Sequence, residues 1–309
     1  MKVTIIGAGA VGTSCLEHIA RLGNINEIVL LDVKEGYSEG KTMDLEQSYA
    51  ALEYLDVKIT GITNDYSKTE NSDITIITSG IPRKPGMTRE ELIVTNANIV
   101  KTVANNAFKH SPNTIFIIVS NPMDTMTYLA FKSLSIEKQR IIGMGGILDS
   151  SRFKYYISKR INETAPKIDA MVIGGHGDTT MIPLYKKATV NNKKLTELLP
   201  KEEINTIVEN TMNGGATLTK LIGTSAWIAP GASVANLVKH ISNDSKAILP
   251  CSVYLDGQYD QKDLCIGVPV TITKHGWDKI VDIELDDDEK KLFSESANAV
   301  KNMNSQLKL

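Results

Sequence analysis

Lys2-Val3-Thr4-Ile5-Ile6-Gly7-Ala8-Gly9-Ala10-Val11-Gly12 is the stretch on which the fold turns. Its apolar, β-branched start, Val3–Ile6, reads as a strand. Behind it, Ala10–Leu22 carries Val11, Leu16, Ile19 and Leu22 near one face of a helix. Between strand and helix lies Gly-x-Gly-x-x-Gly. The first glycine permits a sharp turn, the second lets the backbone approach a phosphate, and the third lets the helix pack close to the sheet. Exposed N–H groups and the dipole at the start of such a helix favour an anion. The next apolar run, Ile28–Leu31, ends at Asp32, about 20 residues on, where a dinucleotide-binding strand carries its acidic residue. A carboxylate there accepts the adenosine-ribose hydroxyls and repels a 2′-phosphate, which favours NAD over NADP. The competing reading is a strand-end aspartate that only caps a turn.

Working outward, short apolar runs alternate with amphipathic stretches through the first half. Strands are expected at Val57–Thr60, Ile74–Thr78, Thr114–Val119 and Ile141–Gly143, with a long helix over Glu90–Lys109. Continuous apolar runs of this kind suit parallel strands buried on both faces. The alternation predicts a doubly wound parallel α/β sheet holding ligands beyond the carboxyl ends of its strands.

The second half reads as α+β. A helix is expected from about Asp149 to Asn162, a strand at Ala170–Ile173, and helices over Lys201–Ile222 and Ser233–Ile241, with a break at Gly214-Gly215. Ile248–Leu255, Cys265–Thr273 and Ile280–Leu285 read as an antiparallel meander with turns at Asp256-Gly257 and His275-Gly276. A last helix starts near Asp287, its positive end faced by the acidic run Asp286–Glu289. The boundary between the halves falls near Met144, giving expected domains 1–144 and 145–309.

Composition excludes several classes of function. A net charge of −2 gives no field that recruits nucleic acid or an anionic membrane, and 6% aromatic content is poor material for stacking bases. No apolar run approaches the ~20 residues of a membrane span, and the N-terminus lacks a signal-peptide pattern. Cys15, Cys251 and Cys265 are scattered and read as reduced core thiols. The expected setting is the cytoplasm, with no metal site.

Five histidines are present, and only His176 stands out. It lies in Gly174-Gly175-His176-Gly177-Asp178, where three glycines leave room for a substrate to approach the imidazole. His18, His110, His240 and His275 read as ordinary surface or core residues. Asp149 and Arg152, three apart on a helix, can face one cleft; the plainer reading is an intrahelical ion pair. Arg83 and Arg89 sit in Gly80–Arg89, a loop with two prolines beyond a strand's carboxyl end. Alone it would read as a solvated basic loop. Ser120-Asn121-Pro122 follows the fifth strand at the same edge, with Pro122 suited to a helix's first turn.

Taken together, the glycine fingerprint, Pro82–Arg89 (PRKPGMTR), Val119–Pro122 (VSNP), Leu148–Arg152 (LDSSR) and Gly174–Asp178 (GGHGD) resemble the lactate/malate dehydrogenase family over nearly the whole length. The resemblance implies a Rossmann doubly wound parallel sheet followed by an α+β substrate/catalytic domain. It implies NAD as cofactor, bound by Gly7, Ala8, Gly9, Ala10, Val11, Gly12 and Asp32, with Asn96, Val119, Ser120 and Asn121 as further contacts. His176 corresponds to the acid/base and Asp149 to its orienting carboxylate. Arg152 resembles the arginine that grips the substrate's C1 carboxylate, and Arg89 the one that polarises the reacting carbonyl. Asn121 would also contact substrate, and Ser225 would line the pocket. Arg83 takes the position where members acting on malate carry arginine and those acting on lactate typically glutamine. The expected reaction is therefore reversible oxidation of (S)-malate to oxaloacetate, in a homodimer or homotetramer.

Three rivals predict different residues. Arg83 argues against a lactate enzyme. A NAD-using glycosidase on a related fold expects metal-ligating residues in place of a carboxylate-binding arginine loop. A NAD-sensing binding module without catalysis predicts a degraded site, whereas His176, Asp149, Arg89 and Arg152 are all present.

Overall fold

The computed structural model describes residues 1–53, 56–81 and 89–307. In the first half, strands β1 (Lys2–Ile6), β2 (Glu27–Asp32), β3 (Lys58–Thr63), β4 (Ile74–Ile77), β5 (Ile115–Ile118) and β6 (Ile141–Gly143) alternate with helices α1 (Ala10–Ala20), α2 (Tyr37–Ala51), α3 (Arg89–His110) and α4 (Met123–Ser133). The strands pair in parallel in the order β3-β2-β1-β4-β5-β6. Neighbouring residues divide between two cores. Ile5, Leu30, Ile76 and Ile117 pack on one face, and Ile6, Leu31, Ile77 and Ile118 on the other. Helices cover both faces, so both alternating sets of positions in the central strands are mostly apolar and the polar alternation of a half-exposed sheet is missing. The buried exceptions Thr4 and Thr75 are hydrogen-bonded to Ser72 and Thr114. Strand order reverses between β1 and β4, and the crevice at their carboxyl ends is where this architecture receives ligands.

In the second half come α5 (Gly145–Ile161), β7 (Ile168–Asp169), β8 (Val172–Gly174), β9 (Met181–Pro183), β10 (Thr189–Val190) and β11 (Lys193–Lys194). They are followed by α6 (Leu195–Leu198), α7 (Lys201–Met212), α8 (Gly214–Ile222), α9 (Ile228–Ser242), β12 (Ile248–Asp256), β13 (Lys262–Thr273), β14 (Gly276–Ile280) and α10 (Asp287–Asn304). β12 pairs antiparallel with β6 at Ser252 and Gly143, and the sheet continues through β13, β8 and β9. One sheet therefore runs through both halves. Glycine is required at its seam, because a Cβ on Gly143 would lie 2.4 Å from Met123 Sδ and 2.8 Å from Ser252 Cβ.

Several boundaries differ from those read in the sequence. α5 begins at Gly145, not near Asp149. Its two leading glycines are there for packing: a Cβ on Gly146 would meet the Pro250 carbonyl oxygen at 2.7 Å. α9 begins at Ile228 rather than Ser233 and takes Pro230 into its first turn, where no intrahelical N–H bond is lost. Gly231 follows because α1 lies against it, with Ser14 Oγ 2.3 Å from where a Cβ would sit. The strand read at Ala170–Ile173 runs over Val172–Gly174 and is preceded by the short β7. The third strand of the meander is Gly276–Ile280, not Ile280–Leu285. Gly276, at φ +107°, turns the chain, and the Trp277 indole N–H donates to the Lys138 carbonyl at 2.9 Å, which starts the strand at once. The break between α7 and α8 falls at Asn213, beside the Gly214-Gly215 pair. Asp286 caps α10 in a reciprocal box with Glu289.

Cys15, Cys251 and Cys265 are free and buried, and burial pushes the Cys15 thiol up to about 12. Among the described residues, no helix is long and apolar enough to cross a membrane.

Candidate active site

Two clefts open at the carboxyl edge of the parallel strands, on either side of the turn between β1 and α1. The first, of about 770 Å³, is lined by Gly7, Gly9 and Asp32, and its size suits a nucleotide. Gly7 adopts φ +109°, and a Cβ there would meet Thr78 Oγ1 at 2.7 Å. A Cβ on Gly12 would lie 1.8 Å from the Gly7 carbonyl oxygen, so α1 rests directly on the turn. A Cβ on Gly9 meets nothing within 4 Å. Tight packing at Gly7 and Gly12, with open space at Gly9, is the arrangement a pyrophosphate needs at a helix N-terminus. Asp32 Oδ2 accepts from the Ala8 N–H at 2.7 Å and Oδ1 from the Lys34 N–H at 3.0 Å. The carboxylate thus caps the turn, and each oxygen keeps lone-pair capacity for a ribose hydroxyl. These residues fit a dinucleotide.

The second cleft, of about 640 Å³, gathers Val119, Asn121, Arg152, His176 and Ser225, with Val11 from the fingerprint. Helix α5 delivers Asp149 and Arg152 one turn apart on a single face. Asp149 is almost fully buried, at 2% exposure. Its Oδ2 lies 2.8 Å from His176 Nδ1 and its Oδ1 accepts from Arg152 Nη1 at 3.2 Å. The ion pair and the histidine partnership therefore coexist, one on each carboxylate oxygen. Burial disfavours the imidazolium of His176, but the charge and hydrogen bond of Asp149, with a further contribution from Asp124, outweigh it and hold the group above the usual histidine range. Among the described residues, the buried Arg152 Nε–H has no protein acceptor. Gly214 lies close against this side chain, since a Cβ there would stand 3.2 Å from Arg152 Cδ, and Gly215 lies beside the guanidinium.

Other residues picked out in the sequence have less direct placements. Ser120 Oγ donates to the Ser79 carbonyl at 2.5 Å, tying the ends of β4 and β5 together. Asn96 is buried, and its amide is taken up by backbone. Oδ1 accepts from the Ile81 N–H at 2.9 Å, and Nδ2 donates to the Asn121 carbonyl at 2.8 Å. Pro122 stands at the cap of α4, one residue before its first turn. Arg83 lies outside the described residues, as does the side chain of Arg89.

Two residues of the site escaped the sequence reading. Asp124, in the first turn of α4, places one oxygen on the His176 main chain and the other on Ser252. Gly145 underlies the histidine, since a Cβ there would approach His176 Cβ to 2.8 Å and Met123 Cε to 2.2 Å. An aspartate in a first helical turn is ordinarily a partner for the dipole, and a glycine opening a helix is unremarkable. Neither carried a signal until the loop and helix were brought together.

A doubly wound sheet with a dinucleotide cleft, and beside it a histidine–carboxylate pair and a buried arginine, defines an NAD-dependent oxidoreductase. The sequence matches the lactate/malate dehydrogenase NAD-binding domain over residues 1–143 and the alpha/beta C-terminal domain of the same family over residues 147–308. The chain belongs to the lactate/malate dehydrogenase family. It is 59% identical over 308 residues to a malate dehydrogenase of Flavobacterium frigidimaris, covering 100% of this chain and 99% of that protein. The solved malate dehydrogenase of Salinibacter ruber superposes with a TM-score of 0.94 at 39% identity, covering 99% of this chain and 97% of that one. A lactate dehydrogenase from Cryptosporidium parvum, solved with lactic acid and NAD, superposes at 0.92 with 32% identity, covering 98% and 96%. Shape alone thus does not choose between the two substrates.

Proposed function

We propose that the chain catalyses the reversible NAD-dependent oxidation of (S)-malate to oxaloacetate, with His176 as acid/base. The observation that carries the acid/base reading is the 2.8 Å contact of His176 Nδ1 with the buried Asp149, in the same cleft as Arg152. With Nδ1–H given to Asp149, Nε2 is left to face a substrate hydroxyl. In oxidation, neutral His176 takes the hydroxyl proton, and Asp149 stabilises the imidazolium that forms. In reduction, the imidazolium returns that proton to the carbonyl oxygen. Arg152 holds the C1 carboxylate, the natural acceptor for its buried Nε–H and adjacent Nη. NAD, when bound, supplies the hydride acceptor. Gly7 to Gly12 and Asp32 would hold its pyrophosphate and adenosine ribose, and Val119, Ser120 and Asn121 would flank its nicotinamide. Asn96 acts there through Asn121, whose carbonyl it holds. Ser225 lines the substrate side, and Arg89 polarises the carbonyl.

The choice of malate rests on the chain's 59% identity to a malate dehydrogenase and on Arg83. Following NADH absorbance with oxaloacetate and with pyruvate tests it directly. Oxaloacetate should be reduced with kcat/KM about 10²–10⁴ above that for pyruvate, the factor expected from one unpaired buried charge. Equal values would remove malate as the substrate. Cofactor choice has its own test. Asp32→Ser combined with Val33→Arg, at an exposed cleft residue, should lower kcat/KM for NAD about 10- to 100-fold and raise it for NADP, because charged hydrogen bonds to ribose are lost and a partner for the 2′-phosphate is gained. A wild-type preference for NADP would overturn the reading of Asp32.

The reading extends to a division into cofactor and substrate domains at 144/145, supported by the end of β6 at Gly143 and the start of α5 at Gly145. It also extends to a homodimer or homotetramer, supported by exposed apolar side chains such as Met43 on α2, Tyr155 on α5 and Ile228 on α9. A cytoplasmic setting is supported by three free, buried thiols.

A further inference from the structure

The pair His176–Asp149 leaves a second buried carboxylate unexplained. Asp124 is 3% exposed and sits in the first turn of the 11-residue helix α4. Its Oδ2 accepts from the main-chain N–H of His176 at 2.6 Å, and its Oδ1 accepts from Ser252 Oγ–H on β12 at 2.6 Å. Two donors and the positive end of a helix support the charged form of a group that is costly to bury. Burial nevertheless raises the Asp124 carboxyl above the usual carboxylate range, with the bonds to Ser252 and His176 and the charge of the imidazolium pulling the other way.

We propose that Asp124 is a positioning residue for the acid/base step: it anchors the main chain of His176 and supplies a second negative charge that favours the imidazolium. The proposal rests on the reading of His176 as the acid/base. Among the described residues, the charged groups facing the imidazole are Asp149 and Arg152 from α5 and Asp124 from α4. Asp124 itself faces His176, Asp149 and, on β13, the buried thiol of Cys265. With His176 neutral, Asp124 and Asp149 confront a single guanidinium, so the cluster is short of one positive charge. Protonation of His176 restores the balance. A substrate carboxylate placed on Arg152 consumes that guanidinium's charge and strengthens the same preference. Asp149 alone would suffice to orient the ring; with Asp124 the proton affinity is set by two carboxylates delivered from two different helices.

Asp124→Asn tests this, because the amide is isosteric and can satisfy both neighbours, Oδ1 accepting from the His176 N–H and Nδ2 donating to Ser252 Oγ. The full-length protein is labelled with ¹⁵N-histidine, the His176 resonances are assigned by their loss in His176→Asn, and the imidazole is titrated without substrate. The His176 midpoint should fall by about one pH unit, a tenfold loss of proton affinity, and the pH profile of kcat/KM for malate oxidation should move to lower pH by the same amount. A role confined to holding the loop would lower the rate and leave both midpoints in place, which overturns the proposal. Ser252→Ala is the control for packing: it removes one donor but keeps the carboxylate, so the His176 midpoint should stay near the wild-type value. A fall as large as that of Asp124→Asn would trace the shift to loosened packing and overturn the proposal. Should Asp124→Asn fail to fold, the Asp124 carboxyl resonance of ¹³C-aspartate-labelled wild type should move with the titration of His176. A carboxyl that does not sense that titration also overturns the proposal. A midpoint that moves while the rate profile stays put leaves the Asp124 coupling standing and removes His176 from the acid/base step.

Discussion

His176→Asn should lower turnover about 10²–10⁴-fold in both directions, the usual worth of a positioned acid or base, while NADH binding is unchanged. Asparagine can still hydrogen-bond to Asp149 and keeps much of the shape of the ring, so the loss isolates proton transfer. The wild type should show opposed pH dependences. Malate oxidation needs neutral His176 and so rises with pH through the group's midpoint; oxaloacetate reduction needs the imidazolium and falls over the same range. Because Asp149 and Asp124 together outweigh burial, that midpoint lies above the ordinary histidine value near 6.5. Initial rates in both directions across pH 5 to 10, with NADH binding by fluorescence, check the claim. Turnover in His176→Asn within a fewfold of wild type, or an oxidation rate that falls as pH rises, would sink the acid/base reading.

The sequence disclosed the cofactor half of the fold more fully than the catalytic half, for a physical reason. The central strands of β1 to β6 are buried on both faces, so Val, Ile and Leu dominate their runs, and most are followed by a change of periodicity that marks a helix. The glycine fingerprint is a local device, with Gly7, Gly9 and Gly12 acting within one turn. The catalytic constellation is not local. His176 meets Asp149 across 27 residues and Asp124 across 52, and only the pairing of β12 with β6 and of β8 with β13 brings those segments together. The starts of α5 and α9 were placed too late, at Asp149 and Ser233, because nothing in the sequence gives Gly145, Gly146 and Gly231 a reason to stand in a helix. Their actual reason is the closeness of His176, Pro250 and Ser14, which no single-segment pattern contains. Asp124 was hidden in the same way, since nothing in its own helix announces the loop that it binds.

Arg83→Gln should exchange substrates more than it weakens the enzyme. Oxaloacetate and pyruvate differ, at the far end, by a carboxylate against a hydrogen. On the proposed reading Arg152 takes the first carboxylate and Arg83 the second. With pyruvate bound, the Arg83 guanidinium would be desolvated with no anion opposite it, at a cost of about 3–5 kcal/mol, which corresponds to discrimination on the order of 10²–10⁴ at 1.4 kcal/mol per tenfold. A glutamine in its place leaves no charge to strand, so kcat/KM for oxaloacetate should drop sharply and that for pyruvate should rise, with NADH affinity little changed. Arg89→Gln provides the contrast. A residue acting on the carbonyl common to both keto acids should harm both reactions alike and leave their ratio near the wild-type value. The measurement is kcat/KM for both keto acids in wild type and the two variants. The similarity of this fold to malate and lactate enzymes alike means that the ratio must be set by side chains rather than by architecture. If Arg83→Gln leaves it unmoved, Arg83 does not read the second carboxylate, and the selection of malate has to come from another residue of the cleft.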